Sequence, residues 1–161
     1  MGSRSNTSIT DAYIAGFLDG DGSLMMQLKK RADGRKHYRF MLTICFYQDA
    51  RHDAPLRWMR TVLGIGYCSK RNDGMSELRI NGYEQVRRIL LRLKPYVRFK
   101  RRQLVYVLKA SLILTKVKSR DLSSAQLKRL VAYMLAIQAE NYSAHRKKTK
   151  DELYAVLDLT P

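Results

Sequence analysis

The chain is short of acidic residues: 14 Asp plus Glu stand against 31 Lys plus Arg, a formal net charge of +17 in 161 residues. A compact protein with that surplus repels itself. A polyanion relieves the repulsion, so nucleic acid is the first partner the composition implies, through phosphate contacts and counterion release. Cysteine is scarce too. Cys45 and Cys68 stand far apart with no Cys/His cluster around them. That arrangement speaks against a zinc site and a disulfide framework and fits a reducing, intracellular setting. Long hydrophobic runs are missing: none approaches the ~20 residues of a membrane span, so no membrane partner is expected. Residues 1–8 lack the apolar core of a signal peptide, and secretion is not expected. They are read as a disordered leader or an expression remnant, and residues 9–161 as one domain without a linker. No Ser/His/Asp or Cys/His arrangement points to a protein nucleophile.

Nearly half of the residues are apolar, enough for a core, and their spacing divides the chain into elements. Thr10 and Asp11 look like a helix start, followed by Ile14, Phe17 and Leu18 at helical spacing and ended by Gly20 and Gly22. Ser23 to Lys30 alternates, with Leu24, Met26 and Leu28 on one side and Met25, Gln27 and Lys29 on the other. An Asp-Gly turn signal at 33–34 leads to a second strand from Tyr38 to Tyr47. Asp53 and Pro55 open a helix whose stripe is Leu56, Met59 and Leu63, with Trp58 expected beside them in the core. Residues 67–71 and 77–81 read as a second hairpin around Asn72-Asp73-Gly74. Helices are predicted at 83–93, stopped by Pro95, at 99–118, at 123–143 and at 150–157. The fold class is α+β: an αββαββα core, a four-stranded antiparallel sheet with helices on one face, and extra C-terminal helices. The other sheet face is left open. Alternation places Met25, Gln27, Lys29, Arg31, Arg39, Ser69, Arg71, Glu77 and Arg79 there, with Tyr47 able to offer its hydroxyl. A β-ribbon carrying such a row fits a DNA major groove.

The stretch Ile14-Ala-Gly-Phe-Leu-Asp-Gly-Asp-Gly22 resembles the nonapeptide that names the LAGLIDADG homing endonucleases. Ala15, Gly16, Asp19, Asp21 and Gly22 match letter for letter. The Asp-Gly-Asp-Gly end also looks like part of a calcium loop, but Leu24, Met26 and Lys29 follow where such a loop needs carboxylates. Downstream, Leu42-Thr43, Gln48, the Gly64 to Tyr67 stretch and Lys94-Pro95 through Lys100 continue the resemblance, which spans residues 10 to 158. It is nearest to the branch with one motif per chain, acting as a homodimer.

That resemblance implies an intron-encoded, site-specific endonuclease of double-stranded DNA, cutting a long pseudo-palindromic site to short 3′ overhangs. It implies a Mg²⁺ cofactor, with Mn²⁺ or Ca²⁺ able to substitute in binding. Asp21 becomes the metal-binding acid, assisted by the Gly20 carbonyl. Gln48 is implied as a water-orienting residue and Lys100 as the catalytic lysine, with Arg51 or His52 at the periphery. Ala15 and Gly16, lacking bulk, let two motif helices approach, and Asp19 joins that dimer seam while capping or bracing the turn. Two chains would then bring two Asp21 carboxylates to a two-fold axis. Basic helix ends at Lys116, Lys118, Arg120, Arg146, Lys147, Lys148 and Lys150 could grip phosphates. The alternatives are a DNA-binding regulator without catalysis and an RNA maturase of the same fold; RNA is the lesser partner.

Overall fold

The computed structural model describes residues 2–30, 38–141 and 147–160. Helix α1 (Gly2–Asp21) leads directly into strand β1 (Gly22–Lys30), which is followed by β2 (Tyr38–Asp49). Helix α2 (Ala54–Leu63), strands β3 (Tyr67–Lys70) and β4 (Met75–Asn81), and helix α3 (Tyr83–Leu93) complete the core. Helices α4 (Arg101–Lys116), α5 (Ser124–Glu140) and α6 (Lys150–Val156) follow. The α+β order read from the sequence is present, with shifted boundaries. The first helix begins at Gly2, so Thr10 lies inside it and is not its cap. Strand β4 begins at Met75, two residues before Glu77, and α4 starts only after Lys100.

The four strands form one antiparallel sheet in the order β1-β2-β4-β3. Each sheet neighbour is paired in register: Gly22 lies opposite Phe46, Ile44 opposite Ile80, and Cys68 opposite Leu78. The inner row Leu24, Met26, Leu28, Phe40, Leu42, Ile44, Phe46, Leu78 and Ile80 is buried under the helices. Period two in the strands and period 3.6 in the helices thus meet in one apolar layer. Leu56, Met59 and Leu63 of α2 join it, as do Val86, Ile89, Leu90 and Leu93 of α3. Trp58 does not. It is 42% exposed, because it lies off the α2 stripe, and its ring meets Tyr13 edge to face at 5.6 Å.

Local chemistry sets the breaks. Gly64 ends α2 at φ 70°, with its amide donating to the Arg60 carbonyl. Asn72-Asp73-Gly74 forms the expected turn: Gly74 has φ 78°, and the Asp73 carboxylate accepts from the Met75 amide at 3.2 Å. Ser123 and Gln126 cap α5 reciprocally. The Asp-Gly turn expected at 33–34 lies outside the described residues, as does Arg31. No helix among the described residues is long and apolar enough to cross a membrane.

Candidate active site and nucleic-acid interface

Register decides which side chains share the open sheet face. Met25 lies opposite Thr43, Gln27 opposite Met41 and Lys29 opposite Arg39. Cys45 and Tyr67 both lie opposite Arg79, and Glu77 lies between Tyr47 and Ser69. Partners across an antiparallel ladder project to the same side, so Met25, Gln27, Lys29, Arg39, Tyr47, Ser69, Glu77 and Arg79 stand on one face. Arg71 continues the β3 alternation and joins them. Its guanidinium lies over the Tyr47 ring at 5.4 Å, and its amide donates to the Met75 carbonyl.

This face is a connected network. The Glu77 carboxylate takes the Arg79 guanidinium in two hydrogen bonds of 3.1 Å and the Ser69 hydroxyl at 3.4 Å. At 7% exposure, Glu77 is the counter-ion that aims Arg79. The hydroxyls of Ser23 and Tyr47 are 3.2 Å apart, and Thr43 donates to Asn81 at 2.7 Å. Beneath them Cys45 is fully buried, and burial pushes its thiol up. Sequence reasoning did not name Ser23, Met41, Thr43, Cys45 or Asn81 for this face. The alternation that places Arg39 gives Met41, Thr43 and Cys45 by the same two-residue step.

The motif helix ends beside one end of this sheet. Asp21 is its last residue, with an exposed side chain, and the next residue begins β1. Gly22 is held close to the preceding turn: a Cβ there would meet Leu18 Cα and O at 2.8 Å. Because Gly22 pairs with Phe46, the helix end comes to the Tyr47–Gln48 end of β2. Gln48 is within the strand and lies opposite Ser76, hence on the helix-side row and off the open face. Its side-chain oxygen accepts from the Asp49 amide at 2.8 Å.

Lys100, just before α4, comes to the same helix end. Its ammonium donates to the Asp19 carbonyl at 2.6 Å. Burial pushes this lysine below its usual range, while the Asp19 and Asp21 carboxylates pull it back up. Arg51 is engaged: the Asp49 carboxylate accepts its amide at 2.8 Å and its guanidinium at 2.7 Å. The Asp49 carboxyl is thereby held well below the usual carboxylate range. His52 is exposed beside it.

The seam residues separate. Ala15 is 0% exposed and packs in the chain's own core, so it cannot line a seam with another copy. The reason is its neighbourhood on the helix: it falls on the inner stripe with Ile14 and Leu18. Asp19 is half-buried and bonded within its own chain. The outward row is Ile9, Ala12, Tyr13, Gly16 and Gly20. A Cβ on Gly16 or Gly20 would meet nothing within 4 Å.

Among the described residues, no group of three or more His, Cys, Asp or Glu is placed to hold a metal ion. What α1 presents is an oxygen set, the Asp21 carboxylate and the Gly20 carbonyl. That is hard-ligand chemistry, fit for a divalent cation that takes its other ligands from water, phosphate or a second chain.

Residues 14–113 match the profile of the family described as LAGLIDADG endonuclease. The chain is 35% identical over 97 residues to DNA endonuclease I-CvuI of Chlorella vulgaris, a match covering 60% of each chain. It is 29% identical over 146 residues to DNA endonuclease I-CreI of Chlamydomonas reinhardtii, covering 91% of this chain and 87% of that one. A crystal structure of the homing endonuclease I-CvuI in complex with its target in the presence of Ca superposes with a TM-score of 0.85 at 25% identity, over 95% of each chain. The fold is also that of the archaeal intron-encoded homing endonuclease I-Vdi141I complexed with DNA, with a TM-score of 0.78 at 19% identity over 93% of this chain and 95% of that one.

Proposed function

Since the chain belongs to the LAGLIDADG endonuclease family, we propose that it is a homodimeric, divalent-metal-dependent homing endonuclease that cuts both strands of one long DNA site. The observation that carries this reading is the end of α1. An exposed Asp21 and a lysine ammonium bonded to Asp19 occupy the same helix terminus, at the edge of an open, cation-bearing sheet face.

The sheet binds first. Lys29, Arg39, Arg71 and Arg79 supply charge for the phosphates and donors for base edges in the major groove. Arg79 is preorganised by Glu77 and Arg71 by the face of Tyr47, so both lose little freedom on binding. With the duplex seated, a scissile phosphate comes to the α1–β1 junction. Asp21 and the Gly20 carbonyl would hold Mg²⁺, which supplies charge neutralisation at the phosphate and a lowered pKa for water. Lys100 adds a fixed positive charge where negative charge grows on the phosphate. Gln48, at the strand end beside the junction, orients water by hydrogen bonding. Hydrolysis then needs no protein nucleophile: water attacks phosphorus and the 3′ oxygen leaves.

One chain carries one Asp21, and two strands must be cut. A second copy packed along the row of Tyr13, Gly16 and Gly20 brings a second acid to the axis. Small residues allow that close approach. The test is to select bound duplexes from a random pool in Ca²⁺, then add Mg²⁺ to the same sites in a supercoiled plasmid. Linear product is expected. Retention of the site with the plasmid uncut defeats the endonuclease reading and leaves a DNA-binding regulator.

A further inference from the structure

The motif holds two aspartates two residues apart, and only Asp21 is accounted for by metal binding. Asp19 is turned to the segment before α4. Its Oδ2 accepts the Arg98 amide at 2.6 Å, and its Oδ1 accepts the Lys100 amide at 3.0 Å. Its own carbonyl accepts the Lys100 ammonium at 2.6 Å. One residue therefore fixes Lys100 at both ends: the carboxylate holds the backbone from which the side chain starts, and the carbonyl holds its charged tip.

Each part answers a physical need. Carbonyls in the last turn of a helix have no helical partner, and a lysine ammonium satisfies one. Helix α4 begins at Arg101, and Lys100 at its N-cap makes no side-chain capping bond. The loop amides before α4 find their acceptor on α1 instead, about eighty residues earlier in the chain. Clamping residues 98 and 100 also explains the residue between them, since Phe99 is thrown outward at 88% exposure. A free lysine side chain samples many rotamers, and ordering it beforehand removes that entropy from the reaction step. Each Asp19 oxygen is turned to a loop amide, so the carboxylate faces the segment before α4.

We propose that Asp19 is the positioning residue for Lys100, coupling the helix end that carries Asp21 to the loop that carries the lysine. The inference rests on the reading of Lys100 as a residue that acts at the phosphate.

Asp19→Asn keeps the shape and one acceptor but turns an NH₂ toward one of the two amides. With the whole dimeric protein, single-turnover cleavage at saturating DNA should fall by about 100-fold, the usual consequence of a misplacement near 1 Å. Binding measured in Ca²⁺ should stay within about two-fold of wild type, because the Asp19 carboxylate bonds within its own chain and is not one of the side chains on the open sheet face. The discriminating readout is a double-mutant cycle. Lys100→Met should also slow cleavage, and adding Asp19→Asn to it should cost less than about two-fold more, because the residue to be positioned is gone. Amide exchange at Arg98 and Lys100 should quicken in Asp19→Asn. If Asp19→Asn does not fold, Asp19→Ser, which retains one acceptor and brings no NH₂ group, is read in the same way. Losses that multiply in the double variant overturn the positioning role and leave Asp19 a structural brace. Wild-type cleavage by Asp19→Asn, with Lys100→Met impaired, overturns it as well. Wild-type cleavage by Lys100→Met removes the lysine from the mechanism, and the positioning role falls with it.

Discussion

Asp21 and Asp19 share a helix turn and have opposite surroundings, one open to solvent and the other spent on its own chain. Asp21→Asn removes a charge from an exposed site and touches no packing. It should abolish cleavage while the melting temperature and site binding in Ca²⁺ stay near wild type; cutting that survives would remove Asp21 from the mechanism. On the sheet, Arg71 is the residue best set as a base reader, stacked on Tyr47 with its guanidinium still partly exposed. Arg71→Ala should relax preference at one position per half-site by about 1–3 kcal/mol, the worth of a bidentate base contact. A selection from randomised half-sites measures this, and an unchanged preference at every position would mean Arg71 reads no base.

The junction of α1 with β1 is the element that sets the geometry of the acid. It turns from helix to strand without a loop, and this works because Gly22 has no side chain to strike Leu18. A methyl there would sit 2.8 Å from Leu18 backbone atoms, so the helix end or the strand must move. Gly22→Ala should destabilise the fold by about 1–3 kcal/mol, as overpacking does. It should also reduce cleavage more than binding, since Asp21 is the adjacent residue while Gln27, Lys29 and Arg39, proposed to contact DNA, stand farther along the sheet. Thermal unfolding and the paired cleavage and binding assays check both parts; equal loss of cutting and binding would mean the junction carries no special role.

At the scale of the molecule, the outward row of α1 has a property that makes the dimer testable. A Cβ on the exposed Gly16 would meet nothing within 4 Å. Gly16→Leu should therefore fold and gain helix stability over glycine. In the proposed dimer it blocks the seam, so sedimentation should show a monomer and cleavage of the second strand should be lost. A dimer that persists in Gly16→Leu places the seam elsewhere. The charge of +17 adds a second whole-molecule expectation: affinity for DNA should fall steeply and log-linearly as salt is raised, through counterion release.

The amino-acid sequence alone determined what is periodic or local. The two-residue alternation around Leu24, Met26 and Leu28 fixed which face of β1 is buried, and Gly74 fixed a turn that needs positive φ. The charge excess implies a polyanion, and the resemblance carried by the motif letters implies a metal-binding acid. Only the tertiary structure decided matters that depend on which distant segment covers a residue. It turned Ala15 into the core and Trp58 toward Tyr13, put Gln48 on the helix-side row, and gave Glu77 to Arg79. Above all it joined Asp19 to the loop before α4. Periodicity reports the direction of a side chain within its own element, whereas a hydrogen bond across eighty residues exists only once packing has brought two elements together, and no local pattern encodes it.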